Sequence, residues 1–232
     1  MGWIVHWEPG LEGPAGDAGG RLLLDLEGAA LVARSRTKRT ESGVLRLPAG
    51  PVPVHRKVYA YAGWGARIGG AFRTTFAAPS RAAREAAALR RLGALGLAPA
   101  PVATAERRVA GFLAEAILAT RTVEGGRALV ALDPGDGLAA AAGAAAGRLH
   151  AAGVVALDLA PRNLVASRGP AGWTIVKVDT ARLREGGPSD AARADDLADL
   201  LAGLEGRWDD GARAALRDAY AAAAGGLPAG LD

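Results

Sequence analysis

Residues 150–167 read HAAGVVALDLAPRNLVAS, an apolar run that is interrupted by Asp158 and, five positions later, by Asn163. The next apolar segment, WTIVKVD, ends at Asp179, and the Gly- and Pro-containing RGPAG separates the two segments. This pattern predicts a short β-hairpin. Because a hairpin brings the ends of its strands together, we expect Asn163 and Asp179 to lie close in space, with Asp158 a few residues upstream.

Three oxygen-bearing side chains in this arrangement suit Mg²⁺, which takes a few protein oxygens and completes its shell with phosphate and water. Phosphoryl transfer needs such a metal, a carboxylate for the acceptor proton and a cation on the phosphates. Lys57, in the middle of the strand-like VHRKVYAY, is a candidate cation. Glu85 lies on the following predicted helix, on the face it shares with Leu89, and can pair with Lys57.

The composition favours a folded protein of a reducing compartment. Half of the 232 residues are hydrophobic, which argues against disorder. Cysteine is absent, so disulfides and thiolate chemistry are excluded. The first twenty residues contain neither a basic start nor a long apolar run, and no other run is long enough to span a membrane. We therefore predict a cytoplasmic protein.

Charge is unevenly distributed along the chain. The net charge of +4 is made up of +7 in residues 1–120 and −3 in residues 121–232. A basic first half favours phosphate-bearing ligands or an anionic membrane surface. Solvated helices rich in arginine would give the same excess of positive charge without such a partner. Aromatic residues make up only 5% of the chain and do not alternate with basic ones, so we expect no nucleic-acid partner.

The hydrophobic pattern predicts an α+β protein with a β-rich part at 1–121 and an α-helical part at 122–232, joined by a hinge at TVEGG. In the first part we predict a helix capped by Ser80 and stopped by Gly93 or Gly96. The predicted strand segments of that part are 21–28, 29–36, 43–50, 52–63 and one or two within 98–118. In the second part the predicted helices lie within 136–153, 190–204 and 209–226.

The order of a strand lysine, a helix glutamate, D-x-x-x-x-N and an aspartate that ends the next strand resembles the two-lobed protein-kinase-like fold. The flanking segments RKVYAYAGWGARIGGAFR, RLHAAGVVALDLAPRNLVAS and DDLADLLAGL narrow the resemblance to the bacterial lipopolysaccharide core kinases, which phosphorylate Kdo or heptose sugars. The similarity runs from about residue 28 to residue 224. It implies ATP and Mg²⁺ as cofactors and a sugar of the lipopolysaccharide core as acceptor.

The resemblance also implies roles for residues of both parts. In the first, Lys57 would hold the α and β phosphates of ATP, Glu85 would orient Lys57, and the hairpin tip at 35–43 would cover the phosphates. In the second, the roles fall on four residues of the catalytic segment. Asp158 would be the base, Arg162 would neutralise transferred charge, and Mg²⁺ would be held by Asn163 and Asp179.

The chain departs from the kinase pattern at three places. Ala156 stands where a histidine usually precedes the catalytic aspartate, Asp179 is followed by Thr180 and Ala181 rather than Phe-Gly, and no G-x-G-x-x-G is present. Two alternatives therefore stay open: a small-molecule kinase of the aminoglycoside or choline type, and a catalytically weak pseudokinase that binds nucleotide.

Surface residues suggest how a membrane-presented acceptor could be reached. Arg67, Arg73, Arg81 and Arg84 follow the Lys57 strand and predict peripheral contact with the anionic inner membrane, and Trp64 is a candidate for lining the acceptor cleft.

Outside the predicted catalytic segment, two further features have a structural reading. The aspartates of 195–199 form an acidic helix face that we interpret as solvated, with a structural carboxylate supporting the catalytic loop as the alternative. His150 is expected to pack at the end of its helix without a chemical role.

Overall fold

The computed structural model describes residues 2–61, 63, 65 and 78–230. Two compact units are present: the first comprises residues 1–90 and 100–122, and the second comprises residues 91–99 and 123–232. Trp64, Arg67 and Arg73, which entered the predicted acceptor and membrane contacts, lie outside the described residues. The functional division at residues 121 and 122 stays a prediction.

The first unit is built on a six-stranded sheet of order β1-β5-β6-β4-β3-β2, in which every pairing is antiparallel. Its strands are β1 (Trp3–Trp7), β2 (Glu27–Arg34), β3 (Lys38–Leu47), β4 (Gly50–Ala60), β5 (Pro101–Val109) and β6 (Phe112–Arg121). Its described helices are α1 (Gly16–Leu24) and α2 (Arg81–Ala94), the last four residues of which belong to the second unit.

Strand β4 is central and its two faces differ. Val52, Val54 and Val58 alternate along one face and are buried in the same apolar cluster as Leu23 of α1. Arg56 lies on this face too and is buried. Because successive side chains of a strand point to opposite faces, Lys57 is directed to the other side of the sheet.

Arg56 joins α1 to the sheet. Its Nη1 donates to the carbonyl oxygen of Leu23 at 2.6 Å, and its Nη2 donates to Oε2 of Glu41 at 2.5 Å. Partial burial raises the pKa of the Glu41 carboxyl, but Arg56, helped by Arg39, outweighs this effect and holds the pKa below its ordinary value of 4.5. The strand that carries Lys57 is therefore held by packing and by a partly buried ion pair.

The sequence prediction was wrong at three places in the first unit. Residues 38–43, which were expected in the hairpin tip, are the first six residues of β3, so the tip is limited to residues 35–37. Residues 21–24 are the last turn of α1 rather than a strand, and β1, which pairs with the outer side of β5, was not predicted. In α1 the buried residues include Gly19, Gly20 and Leu23, a helical spacing that turns one face towards the sheet.

Helix α2 has the predicted ends. Ser80 Oγ accepts a hydrogen bond from the backbone N–H of Ala83 at 3.1 Å, which confirms the cap. At the other end Gly96 has φ of +68°, and the N–H of Leu97 donates to the carbonyl oxygen of Leu92 at 2.8 Å. This is the glycine-terminated stop expected from the sequence.

The second unit is mainly helical. Its helices are α3 (Leu138–Ala151), α4 (Asp190–Ala202) and α5 (Asp210–Ala224). Its strands are β7 (Arg127–Ala128), β8 (Val154–Val155), β9 (Leu164–Gly169), β10 (Gly172–Lys177) and β11 (Arg184–Glu185). Strands β9 and β10 form the predicted hairpin, and β8 pairs with β11.

Helices α3 and α5 approach each other at glycine positions. A Cβ atom at Gly143 would lie 2.0 Å from the backbone oxygen of Leu216, and one at Gly147 would lie 2.6 Å from that of Tyr220. The two backbones are therefore in direct contact, which only glycine permits at these positions. This packing places Tyr220 of α5 beside His150 at the end of α3.

Strand β2 lies at the edge of the six-stranded sheet, and all eight of its residues are exposed. Leu31 and Val32, which are adjacent in the strand, are 62% and 55% exposed. The pairing of β2 with β3 contains two register shifts, between Glu27 and Ala30 and between Leu31 and Ala33.

Among the helices of the described residues, none combines the length and the apolar character needed to cross a lipid bilayer.

Candidate functional site

The first unit brings Lys57 and Glu85 together. Lys57 pairs with Thr40 of β3 on one side and with Leu118 of β6 on the other, so its backbone is fixed by both neighbouring strands. Its Nζ donates to Oε2 of Glu85 at 2.9 Å. The two residues are therefore placed as an ion pair between the central strand and helix α2.

The carboxylate of Glu85 is fully buried and accepts from more than one donor. Its Oε1 accepts from the hydroxyl of Tyr59 at 2.7 Å and from Nε of Arg81 at 3.1 Å. The guanidinium of Arg81 also lies over the Tyr59 ring, 5.2 Å from its centroid. Because these contacts fix one carboxylate oxygen, the other is aimed at Lys57 with little freedom.

The second unit places Asn163 and Asp179 at the same end of the β9–β10 hairpin. Asn163 closes a short 3₁₀ turn, Pro161–Asn163, and its carbonyl oxygen accepts from the N–H of Val178 at 3.0 Å. Asn163 is thus beside the residue that precedes Asp179. The amide Nδ2 of Asn163 donates to the carbonyl oxygen of Asp158 at 3.3 Å, which turns Oδ1 away from that carbonyl.

The carboxylate of Asp158 is accessible. Its Oδ1 accepts from Nη2 of Arg162 at 3.1 Å, in a pair whose arginine is mostly exposed. Such a pair in water contributes little to stability and leaves the guanidinium able to move. The backbone just before Asp158 is unusual, because Leu157 has φ of +53° and is not glycine.

Asp196 supports this part of the loop. Its Oδ2 accepts from the backbone N–H of Ala156 at 2.5 Å and lies 3.2 Å from Nε2 of His150. The expectation of a solvated acidic face was therefore wrong for Asp196, which is 1% exposed, while Asp195 and Asp199 are exposed. A helical signal was available, because Asp196 lies four residues before the buried Leu200.

His150 links Asp196 to α5. A carboxylate can only accept a hydrogen bond, so Nε2 of His150 carries the hydrogen directed at Asp196, and Nδ1 lies 2.7 Å from the hydroxyl oxygen of Tyr220. Burial is the main influence that raises the pKa of Tyr220 above its ordinary value of 10.0, and Asp196 adds to it against the opposing effect of Arg193. The hydroxyl of Tyr220 therefore keeps its proton.

Lys177 is a second support that the sequence analysis did not identify. It is 3% exposed and ends β10, and its Nζ donates to the carbonyl oxygen of Asp158 at 2.8 Å. The available signal was a lysine on the same face of the strand as Ile175, in an otherwise apolar segment.

The donor set fits a magnesium ion that is shared with phosphate. In the part of the chain that the structure describes, no three His, Cys, Asp or Glu side chains form a cluster that could hold a metal. The amide oxygen of Asn163 and the carboxylate of Asp179 would supply two oxygens. Mg²⁺ is commonly bound by one or two protein carboxylates together with substrate phosphates and water.

Comparison with solved structures shows the fold. The structure of WaaP in complex with acyl carrier protein matches with a TM-score of 0.59 at 18% sequence identity, over 86% of this chain and 80% of that chain. The match confirms the predicted kinase-like fold, with its β-rich first part and its helical second part. No curated protein matches the sequence.

Comparison with protein families gives a second and independent result. The model of the lipopolysaccharide kinase (Kdo/WaaP) family matches residues 52–220, which is more than half of the chain and includes both predicted site regions. The chain therefore belongs to the lipopolysaccharide kinase family, whose members are phosphotransferases that act on sugar hydroxyls of lipopolysaccharide.

Proposed function

We propose that this chain transfers the γ-phosphate of ATP, in the presence of Mg²⁺, to a sugar hydroxyl of the lipopolysaccharide core. The observation that carries the proposal is the arrangement at the β9–β10 hairpin, where Asn163 binds the main chain of Asp158 and pairs with Val178, between the end of β10 and Asp179. Base, amide ligand and carboxylate ligand of a phosphotransferase would then come from one short segment.

Asp158 is proposed as the base. Its carboxylate is partly exposed, so an incoming hydroxyl can reach it and donate its proton as the new oxygen–phosphorus bond forms and the bond from the γ-phosphorus to ADP breaks. Arg162 pairs with this carboxylate and keeps most of its side chain in solvent. When an acceptor displaces that pair, the guanidinium is available to balance the charge of the transferring phosphoryl group.

Asn163 and Asp179 are proposed as the residues that hold Mg²⁺. The bound ion would neutralise negative charge on the nucleotide phosphates. Asn163 is suited to this role because its Nδ2 is already engaged with the Asp158 carbonyl, and this orients its Oδ1 as a ligand. Because two protein ligands are few, we expect nucleotide and metal to bind together.

Lys57 and Glu85 are proposed to bind and orient the nucleotide phosphates. The buried Glu85 holds the ammonium of Lys57 in an ion pair, and an ammonium fixed in advance stabilises phosphate charge without reorganisation. The hairpin between β2 and β3, with its tip at 35–37, is proposed to cover the phosphates through backbone N–H groups. Residues 1–121 would then be the nucleotide lobe and 122–232 the catalytic lobe.

The acceptor is proposed to be presented at the cytoplasmic face of the inner membrane, which the basic first half of the chain would contact. Arg84 is exposed on α2 and is available for an anionic surface. Arg81 is less suited than the sequence indicated, because its Nε is bound to Glu85. Binding to anionic vesicles that decreases as salt is raised would support this part of the proposal. Equal binding to neutral vesicles would contradict it.

The test of the proposed function is phosphate transfer from ATP to purified lipopolysaccharide core. We expect Asp158→Ala to reduce turnover by about 10²–10⁴-fold with little change in ATP affinity, the range for a lost proton acceptor. Asp179→Ala should abolish metal-dependent ATP binding, and equal ATP affinity in EDTA and in magnesium would refute the metal assignment. Transfer to aminoglycosides or choline but not to the core would favour the small-molecule alternative. Nucleotide binding without any transfer would favour a pseudokinase.

A further inference from the structure

The main chain of Asp158 is held by a buried lysine. Lys177 Nζ lies 2.8 Å from the Asp158 carbonyl oxygen, and the residue lines a pocket whose other lining residues are apolar, among them Leu149, Leu159 and Ile175. Burying a lysine among such residues is unfavourable unless its nitrogen is hydrogen-bonded. An apolar residue of similar volume would fill this pocket at least as well.

The segment that Lys177 holds is strained. Leu157, with φ of +53°, has a left-handed backbone without being glycine, and its side chain is 38% exposed. Such a conformation persists only where the surroundings fix it from both sides. Asp196 accepts from the N–H of Ala156 on one side, and Lys177 donates to the carbonyl of Asp158 on the other.

The carbonyl oxygen of Asp158 also accepts a hydrogen bond from Asn163, the proposed amide ligand of the metal. Asn163 Nδ2 donates to it at 3.3 Å and Lys177 Nζ donates to it at 2.8 Å. One main-chain oxygen therefore connects the direction of the Asp158 side chain with the orientation of the Asn163 amide. Lys177 is the last residue of β10 and lies two residues before Asp179 in the sequence.

We propose that Lys177 is a positioning residue for phosphoryl transfer, which fixes the Asp158 carbonyl and, through it, the relative placement of the base and the amide ligand. This inference rests on the proposed function, because it assigns Lys177 a role through Asp158 and Asn163. Lys177 acts without contact with the substrate. Its contribution is to turnover rather than to nucleotide affinity or to stability.

The experiment compares Lys177→Met with Ile175→Met on the purified full chain. Both changes place methionine on the same face of β10 and in the same pocket, but only the first removes the donor. We expect Lys177→Met to lower kcat by about 10- to 100-fold, the scale of a misplaced catalytic group, with the KM for ATP within about twofold of wild type. Its urea midpoint should be equal or higher, and Ile175→Met should keep wild-type kcat.

A second measurement does not depend on activity. Hydrogen exchange of peptides that cover residues 154–164 should be faster in Lys177→Met than in wild type and unchanged in Ile175→Met. Lys177→Arg, which returns a donor, should recover kcat relative to Lys177→Met. If Lys177→Met fails to fold, Lys177→Leu replaces it, and failure of both would show that Lys177 serves stability and would overturn the inference.

The outcomes separate the two proposals. Wild-type kcat in Lys177→Met, or an equal loss in Ile175→Met, overturns the positioning role while Asp158→Ala still tests the base. Wild-type turnover in Asp158→Ala removes the proposed base, and the exchange measurement then decides alone whether Lys177 holds the loop.

Discussion

Replacing Glu85 by glutamine tests whether the buried carboxylate sets the position of Lys57. The substitution keeps the shape of the side chain but exchanges one carboxylate oxygen for an NH₂ group, which cannot accept a hydrogen bond. The remaining oxygen can serve Tyr59 and Arg81, as Oε1 does now, and the NH₂ group then faces the donor Nζ of Lys57. The contact between residues 57 and 85 is lost in this arrangement.

The magnitude follows from the burial of the pair. A hydrogen bond to a charged group contributes about 1.5–3 kcal/mol, and removing one partner of a buried ion pair costs about 3–5 kcal/mol. Glu85 is fully buried, but the side chain of Lys57 is 13% exposed. Water can therefore replace part of the hydrogen bonding that the ammonium of Lys57 loses. We therefore expect Glu85→Gln to lower the free energy of unfolding by about 3 kcal/mol.

Urea unfolding followed by fluorescence measures this loss, and ATP titration measures its functional consequence. The matched control is Arg81→Gln, which removes the other cation that is bound to Glu85. Because the side chain of Arg81 is 37% exposed, this change should lower the free energy of unfolding by less than about 1 kcal/mol. Under the proposed function, Glu85→Gln also weakens ATP binding and Arg81→Gln does not. A Glu85→Gln protein as stable as wild type, or as stable as Arg81→Gln, would refute the argument.

Changes at three other positions test separate parts of the structure. Asp196→Ala leaves a buried backbone N–H of the 156–158 segment without its acceptor and should lower the free energy of unfolding by about 2–3 kcal/mol, with wild-type stability as the contradicting result. Gly143→Ala places a methyl group 2.0 Å from the backbone oxygen of Leu216 and should cost about 2–3 kcal/mol in urea unfolding, whereas Gly211→Ala, at a helix start with its nearest atom at 3.5 Å, should be tolerated. Burial lowers the pKa of His55 below its ordinary value of 6.5, so its contribution to stability is complete above pH 6.5 and is lost as the pH falls through the lowered pKa. His55→Gln should therefore reduce the loss of stability between pH 7 and pH 5, and an identical pH profile would disprove the assignment.

Features of the fold that depend on local chemistry could be predicted from the sequence. The hydroxyl of Ser80 caps α2 by accepting from a backbone N–H only three residues further along the chain. Likewise, RGPAG forms the turn between the two short apolar segments that become β9 and β10. The apolar run at 22–24 was ambiguous, because three adjacent leucines fit a buried strand as well as one turn of a helix. Strand β1, with Trp3 buried and Ile4 exposed, has only five residues, and such a short alternation is a weak signal of a strand.

The supports of the candidate site could not be predicted in the same way. Lys177 and Asp196 bind backbone groups that lie 19 and 40 residues away along the chain, and no local pattern fixes such partners. Burial of a charged residue in a helix or strand can be suspected from spacing, but its partner depends on tertiary packing. The pairing of Lys57 with Glu85 could be predicted because Glu85 shares a helix face with the apolar Leu89, and the order of motifs agreed with it.

The exposed edge strand β2 has a consequence for the behaviour of the protein in concentrated solution. An outer strand with Leu31 and Val32 open to solvent offers a template on which a second chain could add a strand, the first step of edge-to-edge aggregation. The register shifts with β3 interrupt a flat edge, and Arg34 at the end of the strand places a charge there that resists stacking. Replacing Leu31 by lysine would strengthen this protection without touching the buried core, and should raise the concentration at which the protein stays monomeric.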